Sequence, residues 1–253
     1  MRNLILCEGF DDVLILGYYL YKTQKWVFDP KAIFSNFYKF PKIDVKRQVV
    51  EVYKKNDDLV GIWAVGGKDS FEAAFTFIYK VNSRYPQQGI NKVFIVTDRD
   101  NCAIENSLEI LKEKMKNCGI EIQELYNNQE NLYSYEVEEE MFDLSIIPVI
   151  VPFDQVGALE TVLLQGIAET GAEEQFIVEY ANKYITDILD SGRLHTYLKH
   201  ERLILKARLS AVISITNPDR SAALFDRVLM SWNWEEKNAV RKHFETITKY
   251  LEI

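Results

Sequence analysis

The chain has 253 residues, of which 47 % are hydrophobic and 27 % are charged, and its formal net charge is −8. This composition is typical of a soluble globular protein with one large domain or two small ones. Nucleic-acid-binding proteins are more often basic overall, so the average charge argues against that class unless a local basic patch overrides it. The longest apolar stretches, such as "SIIPVIVPF", are too short to cross a bilayer.

The first residues and the cysteines indicate the cellular compartment. The segment "MRNLILCEGF" lacks the long apolar region and the small-residue cleavage site of a signal peptide. The three cysteines, Cys7, Cys102 and Cys118, are odd in number and do not have the spacing of metal ligands. We therefore predict a cytoplasmic protein with reduced thiols, and neither a structural zinc site nor a disulfide framework.

The first elements are a strand and a helix. The run "NLILCEG" is short, apolar and ends in Gly, which is typical of a buried strand, and "DDVLILGYYLYKTQK" has the length and apolar content of a helix. Residues 25–58 are aromatic and contain Pro30 and Pro41, so we interpret this region as an insertion. Within it, "DVKRQVVEVYKKND" is predicted to be a helix.

The alternation of strands and helices then continues. "LVGIWAVGG" and "NKVFIVTD" are predicted strands, and each precedes a helical segment, "KDSFEAAFTFIYKVNSRY" and "AIENSLEILKEKMKNCG". "SIIPVIVPF" is a further core strand, and the segments after it have helical periodicity. The sequence predicts an α/β fold with a parallel-rich sheet flanked by helices at 1–155. The all-helical region at 156–253 is expected to pack on this core.

Acidic residues follow two of the predicted strands at the edge where the sites of parallel sheets form. Glu8 ends the first strand, Asp98 and Asp100 end the third, and Asp12 follows Glu8 by four residues. Residues i and i+2 of an extended chain face the same side, so Asp98 and Asp100 should converge. Clustered carboxylates repel each other unless a cation neutralises them, and oxygen ligands suit Mg²⁺ or Mn²⁺. Alternatively, the acids are helix N-caps, with Asp100 or Asn101 capping the third helix and Asp11 capping the first.

Two further segments are less specific. In "VPFDQVGALETVLL", Glu160 stands at a helix start, where it would either cap the helix or offer another carboxylate to the same edge. The segment 193–208, "RLHTYLKHERLILKAR", is basic and is either a phosphate-facing surface or a solvated helix face.

These motifs together resemble the Toprim domain, the metal-binding fold of topoisomerases, primases and certain nucleases. The resemblance lies in "CEGFDD" followed downstream by "TDRD", a Glu-Gly after one strand and an Asp-x-Asp after another. The wider layout includes "VGGKDSF", "VPFDQVGALETVLL" and "LKARLSAVISITNPDRSAALFDRVL". It resembles a small family of stand-alone bacterial Toprim proteins (DUF3226-like) and the Toprim half of the overcoming-lysogenisation-defect (OLD) nucleases.

The resemblance implies metal-dependent hydrolysis of phosphodiester bonds in DNA or RNA, with Mg²⁺ or Mn²⁺ as the cofactor. It assigns catalytic roles to Glu8 and Lys206. The implied metal ligands are Glu8, Asp12, Asp98, Asp100 and Glu160. The residues expected to contact nucleic-acid phosphates are Lys68, Lys199, Arg202 and Arg208. The implied partners are the nucleic acid, a separately encoded ATPase and a second copy of the chain, with no membrane involved.

Some residues depart from the family pattern. Many Toprim proteins have a third acid after Asp-x-Asp, whereas Asn101 and Cys102 follow here, which places a second metal in doubt. The segment "GIWAVGGKDS" resembles a Walker A loop but has Gly67 at the Lys position, so it is interpreted as a strand-to-helix turn. Other classes remain open: a non-catalytic or partner-dependent Toprim module, and a phospho-acceptor or phosphatase domain in which Asp98 would receive the phosphate.

Overall fold

The computed structural model describes residues 2–42, 48–194, 196–218 and 225–251. The strands are β1 (Arg2–Cys7), β2 (Val27–Phe28), β3 (Val49–Lys55), β4 (Asp58–Ala64), β5 (Lys92–Asp98), β6 (Asn131–Val137) and β7 (Glu140–Val151). The helices are α1 (Phe10–Gln24), α2 (Phe71–Arg84), α3 (Ile104–Asn117), α4 (Leu159–Ala168), α5 (Ala172–Asp190), α6 (Glu201–Thr216), α7 (Phe225–Ser231) and α8 (Asn238–Leu251). The chain divides into two compact units, Met1–Ile150 with Glu245–Ile253, and Val151–Phe244.

The first unit is built on a seven-stranded sheet with the order β2-β3-β4-β1-β5-β7-β6. The central strands β4, β1 and β5 are parallel, whereas β2, β3 and β4 pair antiparallel, as do β6 and β7. Leu4, Ile5 and Leu6 of β1 are completely buried, as expected for a parallel strand with both faces covered. The predicted α/β class, with a sheet that is parallel at its centre and flanked by helices, is confirmed.

The aromatic segment before β3 forms part of the hydrophobic core. Trp63 of β4 is completely buried, and its ring centroid lies 5.1 Å from that of Phe40 and 5.6 Å from that of Phe77. Phe34 is also buried, and its ring centroid lies 5.3 Å from that of Phe40. The region that Pro30 and Pro41 interrupt therefore contributes aromatic rings to the core beside β4.

The predicted helix in "DVKRQVVEVYKKND" is wrong, because its described part contains β3, which pairs antiparallel with β4. Residues 43–47 of this region lie outside the described residues. Val49, Val50 and Val52 are β-branched, and such side chains favour a strand. The turn between β3 and β4 consists of two residues, and the first of them, Asn56, has a φ of 56°. A two-residue turn with Asn was the available signal for a hairpin.

Strand β6 was missed by the sequence analysis, and β7 begins earlier than the predicted strand "SIIPVIVPF". The two strands form a hairpin whose turn residues, Glu138 and Glu139, have φ values of 50° and 69°. Such turns usually contain Asn or Gly, because those residues adopt positive φ at low cost. Two glutamates give no turn signal, which explains why the hairpin was not predicted.

The second unit contains α4 to α7 and the beginning of α8. The helix predicted from Leu194 starts only at Glu201, and position 195 lies outside the described residues, as do residues 219–224 before α7. His243 of α8 is buried, with Nδ1 2.7 Å from the carbonyl oxygen of Ala239 and Nε2 3.3 Å from Asp154. In the described part of the chain, no helix has the length and apolarity that a membrane span requires.

Candidate functional site

The carboxyl ends of β1 and β5 lie side by side, and this brings Glu8 to Asp98. The parallel register pairs Leu6 of β1 with Ile95 of β5, so the residues after both strands meet at one edge. Glu8 is 5 % exposed. Its Oε1 accepts hydrogen bonds from the backbone N–H of Asp98 at 3.0 Å and from the hydroxyl of Thr97 at 2.7 Å. The Glu8 carboxylate is therefore held in one orientation by two donors from β5.

The side chain of Lys68 points into this group of acids. Its ammonium donates to the backbone carbonyl of Asp98 at 2.7 Å and to the carboxylate of Asp100, and it lies 3.8 Å from Glu8 Oε1. Lys68 follows β4, the parallel neighbour of β1 on the other side. Oxygens from the ends of β1 and β5 thus surround a positive charge that comes from the end of β4.

The electrostatic surroundings keep Lys68 protonated. Burial lowers the pKa of its ammonium, but the negative charge of Glu8 and the hydrogen bond that the ammonium donates to Asp100, together with the charges of Asp100 and Asp98, raise that pKa by more. The pKa of Lys68 is therefore higher than that of a free lysine side chain. At any pH at which the protein is folded and the acids are ionised, this position carries a positive charge.

Asp98 and Asp100 contact the Lys68 ammonium through different groups. The expectation that the chain stays extended through both residues is wrong, since Asp100 has a φ of 54° in the left-handed region. Asp98 offers its backbone carbonyl to Lys68, whereas Asp100 offers its carboxylate. Asp tolerates this conformation better than most residues. The kink turns the Asp100 carboxylate toward Lys68.

Asp12, and not Asp11 as the capping alternative has it, makes the capping contact at the start of α1. Its Oδ2 accepts the backbone N–H of Gly9 at 2.7 Å, at the start of α1. Asp12 also acts on Cys7, because burial, with the added negative charges of Asp12 and Glu8, raises the pKa of that thiol well above its usual value. Cys7 is buried, and Cys7, Cys102 and Cys118 are free thiols.

Glu160 and Lys206 lie in the second unit and contact each other. Glu160 is in the first turn of α4 and Lys206 is in α6, with 3.4 Å between Lys206 Nζ and Glu160 Oε1. The Glu160 side chain is only 12 % exposed. This pairing of the two residues links the beginning of α4 to the middle of α6.

Four basic residues of the predicted phosphate-facing segment do not all lie on one face: Lys199, Arg202, Lys206 and Arg208. Lys199 and Arg202 are exposed, whereas Arg208 is partly buried and its Nη2 donates to the hydroxyl of Thr186 in α5 at 3.3 Å. Each residue advances about 100° around a helix, so Arg208 lies about 200° from Lys206. Of the four, Lys199 and Arg202 are the residues that are most open to a phosphate.

The sequence matches a known protein family. The family described as "Protein of unknown function (DUF3226)" matches residues 2–249. The chain belongs to this family. The resemblance to a DUF3226-like family is therefore confirmed at the level of that family. No curated protein matches the chain.

Two solved structures are similar to this DUF3226 chain. One is a hypothetical protein, PH0156 from Pyrococcus horikoshii OT3, with 16 % identity, a TM-score of 0.48, and coverage of 97 % of this chain and 99 % of that chain. The other is the cytosolic domain of the T. maritima FeoB iron transporter, with 11 % identity, a TM-score of 0.20, and coverage of 97 % and 98 %. Neither similarity is close enough to carry an argument about function.

The fit of this DUF3226 site to a divalent metal depends on Lys68. Within the described residues, no group of three or more His, Cys, Asp or Glu side chains is arranged to hold a metal ion. The oxygens of Glu8, Asp98 and Asp100 nevertheless surround one cation, the Lys68 ammonium. This donor set consists of oxygen atoms alone, as Mg²⁺ and Mn²⁺ prefer. In this arrangement the oxygens hold the Lys68 ammonium, and no metal-ligand geometry is formed among the described residues.

Two contacts at this site were not anticipated from the sequence. Thr97 is a buried polar residue that orients Glu8, and its position directly before Asp98 in an apolar strand was an available signal. Lys68 was expected to contact a phosphate, whereas it contacts the acids themselves. Nothing in the local sequence indicates this, because the direction of Lys68 depends on the pairing of β4 with β1.

Proposed function

We propose that this protein is a metal-dependent phosphodiesterase that acts on nucleic acid, with a Toprim-type site at the ends of β1 and β5. The observation that carries the proposal is the convergence of Glu8, Asp98 and Asp100 oxygens on one cationic position. Burying a carboxylate beside two further acids costs free energy unless a cation neutralises the group. Its place beyond the carboxyl ends of parallel strands is where α/β folds bind ligands.

We assign the following roles to residues of the first unit. Glu8, held by Thr97 and by the Asp98 N–H, provides a fixed carboxylate, and Asp100 provides a more exposed one. A bound Mg²⁺ or Mn²⁺ would supply an activated water and charge stabilisation at the scissile phosphate. Because these ligands are held in place, the site has to reorganise less during the reaction. Asp12, which caps α1, would stabilise the backbone next to Glu8.

By resemblance to the OLD nucleases, we also assign roles in the reaction to Glu160 and Lys206, and a role in phosphate binding to exposed basic residues. Lys199 and Arg202 are exposed and suit phosphate contacts. Because the net charge of the chain is −8, such local basic groups are needed for a polyanion to approach. The roles of Glu160 and Lys206 are part of the proposal and are tested by Glu160→Gln and Lys206→Met.

The proposal predicts cleavage that depends on a divalent metal. End-labelled single-stranded DNA, double-stranded DNA and RNA are each incubated with the protein in Mg²⁺, in Mn²⁺ and in EDTA, and the products are separated on a denaturing gel. We expect cleavage of at least one substrate with metal and none in EDTA. Asp100→Asn should reduce the rate at least about 100-fold, because even residues outside the direct ligand set cost about 10–100-fold.

A matched control variant tests whether the loss of any acidic side chain lowers the cleavage rate. Glu109→Gln removes one exposed negative charge from α3, and it should cleave like the unmodified protein. If all substrates stay intact with both metals, or if Asp100→Asn cleaves at the full rate, the proposed activity is wrong.

A second candidate function is a Toprim module that needs a separate ATPase partner or that binds without catalysis. The observation that favours it is the Lys68 ammonium, which already neutralises part of the negative charge of the acids. The residues after Asp100 also favour this second candidate, because Asn101 and Cys102 supply no third carboxylate. Mn²⁺ binding by the isolated chain without cleavage of any substrate would support this candidate over the first.

A further inference from the structure

Strand β6 forms one edge of the seven-stranded sheet, and among the described residues it pairs with β7 alone. Its residues Asn131–Val137 pair without interruption with the residues from Ile146 back to Glu140, so this stretch contains no bulge. The sequence "NLYSYEV" also contains no Pro, Gly, Lys or Arg. Bulges, prolines and lysines are the means by which proteins usually keep an edge strand from pairing with another chain. Strand β6 has none of them.

The outward backbone groups of β6 belong to alternate residues. Glu138 and Glu139, with φ values of 50° and 69°, form a two-residue turn of the kind whose flanking residues are joined by a hydrogen bond. Hydrogen-bonded and non-hydrogen-bonded pairs alternate along an antiparallel ladder. The N–H and C=O groups of Leu132, Ser134 and Glu136 therefore point away from β7. Within the described chain, these outward groups have no hydrogen-bond partner.

The side chains hold β6 in place on one face of the sheet and leave its other face open. Tyr133 and Tyr135 pack against the hydrophobic core with ring centroids 5.7 Å apart, and the Tyr135 ring lies 5.9 Å from that of Phe142 in β7. On the opposite face, Leu132 is 62 % exposed and Met141 of β7 is 65 % exposed. The two exposed apolar side chains offer contacts to a chain that pairs with the edge.

The charge around β6 decides which chain can pair with it. Residues 121–143 contain eight acidic residues and no Lys or Arg: Glu121, Glu124, Glu130, Glu136, Glu138, Glu139, Glu140 and Asp143. Within the described chain, none of these acids forms a salt bridge. Two copies of the protein that paired along β6 would bring two such segments together, and like charges would repel. A strand that carries Lys or Arg would instead be attracted.

We propose that the β6 edge binds an extended, basic segment of a partner protein, which adds to the sheet as a further strand. The backbone of that segment pairs with the outward groups of Leu132, Ser134 and Glu136, and its Lys or Arg side chains lie against the acids around the strand. The same acids keep the β6 edges of two copies apart. The proposal requires neither a bound metal nor cleavage of a phosphodiester, so its failure would leave the proposed function untouched.

The test uses three fluorescent nine-residue peptides, whose binding to the full chain is measured by fluorescence anisotropy. In the first peptide Lys alternates with Thr, a residue that favours strands. The second has the same side chains but carries N-methyl groups on four successive central nitrogens, which block strand pairing and keep the charge. The third has Glu in place of Lys. We expect the first peptide to bind at least about ten-fold more tightly than either of the others, because it alone combines backbone pairing with opposite charge.

Variants of β6 test the backbone and the charge separately. Ser134→Pro removes an outward N–H and no hydrogen bond to β7, and it should weaken binding of the first peptide at least about five-fold. Ser134→Thr keeps that N–H and is the matched control, with an affinity within about two-fold of the unmodified chain. Glu136→Lys combined with Glu138→Lys should weaken binding of the Lys peptide and strengthen binding of the Glu peptide. This charge reversal decides the outcome if Ser134→Pro is unfolded by circular dichroism.

Amide hydrogen exchange, followed by nuclear magnetic resonance, locates the bound peptide. The first peptide should slow exchange at the amides of Leu132, Ser134 and Glu136 at least about ten-fold, because these N–H groups then donate to its backbone. Unchanged exchange at these three amides, or equal affinity for the first two peptides, would overturn the inference. So would a dimer in sedimentation velocity whose β6 amides are protected without any peptide, because the occupant of the edge would then be a second copy.

Discussion

Glu8→Gln should abolish metal-dependent cleavage and leave the fold intact. The Gln side chain has the same shape, and its Oε1 accepts the same hydrogen bonds from Thr97 and from the Asp98 N–H. Only the negative charge of the carboxylate is lost, and with it the attraction for a cation. We expect the cleavage rate to fall by about 100-fold or more, with an unchanged circular dichroism spectrum and a similar melting temperature.

Glu8→Ala separates the chemical role of Glu8 from its structural role. This variant also leaves the Thr97 hydroxyl and the Asp98 N–H without their acceptor, and each unsatisfied group costs about 1–3 kcal/mol. It should therefore lose activity and stability together, as measured by urea unfolding. Full cleavage activity in Glu8→Gln, measured at saturating metal, would remove Glu8 from the catalytic machinery.

Trp63→Ala should destabilise the first unit more than any surface substitution. Trp63 is completely buried in β4, between the rings of Phe40 and Phe77. Removing a buried aromatic side chain costs about 3–5 kcal/mol, because the cavity that remains collapses only in part. The measurement is the free energy of unfolding from urea titration, followed by circular dichroism and by the fluorescence of the remaining tryptophans.

Trp63→Phe is the matched control for this variant. The indole N–H of Trp63 is buried and has no hydrogen-bond partner in the described structure, so its removal relieves an unsatisfied donor. This gain offsets part of the lost packing, and we expect a cost of about 1–2 kcal/mol. If Trp63→Ala and Trp63→Phe lower the free energy of unfolding equally, the ring packing around β4 contributes less to stability than the structure indicates.

The centre of the sheet could be predicted because its signals are local. The strands β1, β4 and β5 are apolar runs of ordinary strand length, and each precedes a helical pattern. Strand ends in a parallel sheet gather at one edge, so the proximity of Glu8 to Asp98 followed from the element order. The hairpin of β6 and β7 could not be found in the same way, because the left-handed turn at Glu138 and Glu139 has no sequence signature.

The arrangement within the site was less predictable than its location. The extended-chain argument for Asp98 and Asp100 failed because Asp100 is left-handed, a property that the sequence "TDRD" does not specify. The role of Lys68 depends on hydrogen bonds between β1 and the loop after β4, which are distant in sequence. Asp12 was predicted to join the acidic edge and Asp11 to cap α1, whereas in the structure the Asp12 carboxylate accepts the Gly9 N–H at the start of α1.

The central claim is that the acids at the ends of β1 and β5 form one cation site. The most direct measurement is a crystal structure of the full chain soaked in Mn²⁺, with anomalous diffraction to locate the ion. The account predicts one manganese peak bound by Glu8 and by Asp98 or Asp100. No peak at these residues, at the Mn²⁺ concentration used in the cleavage assay, would contradict it.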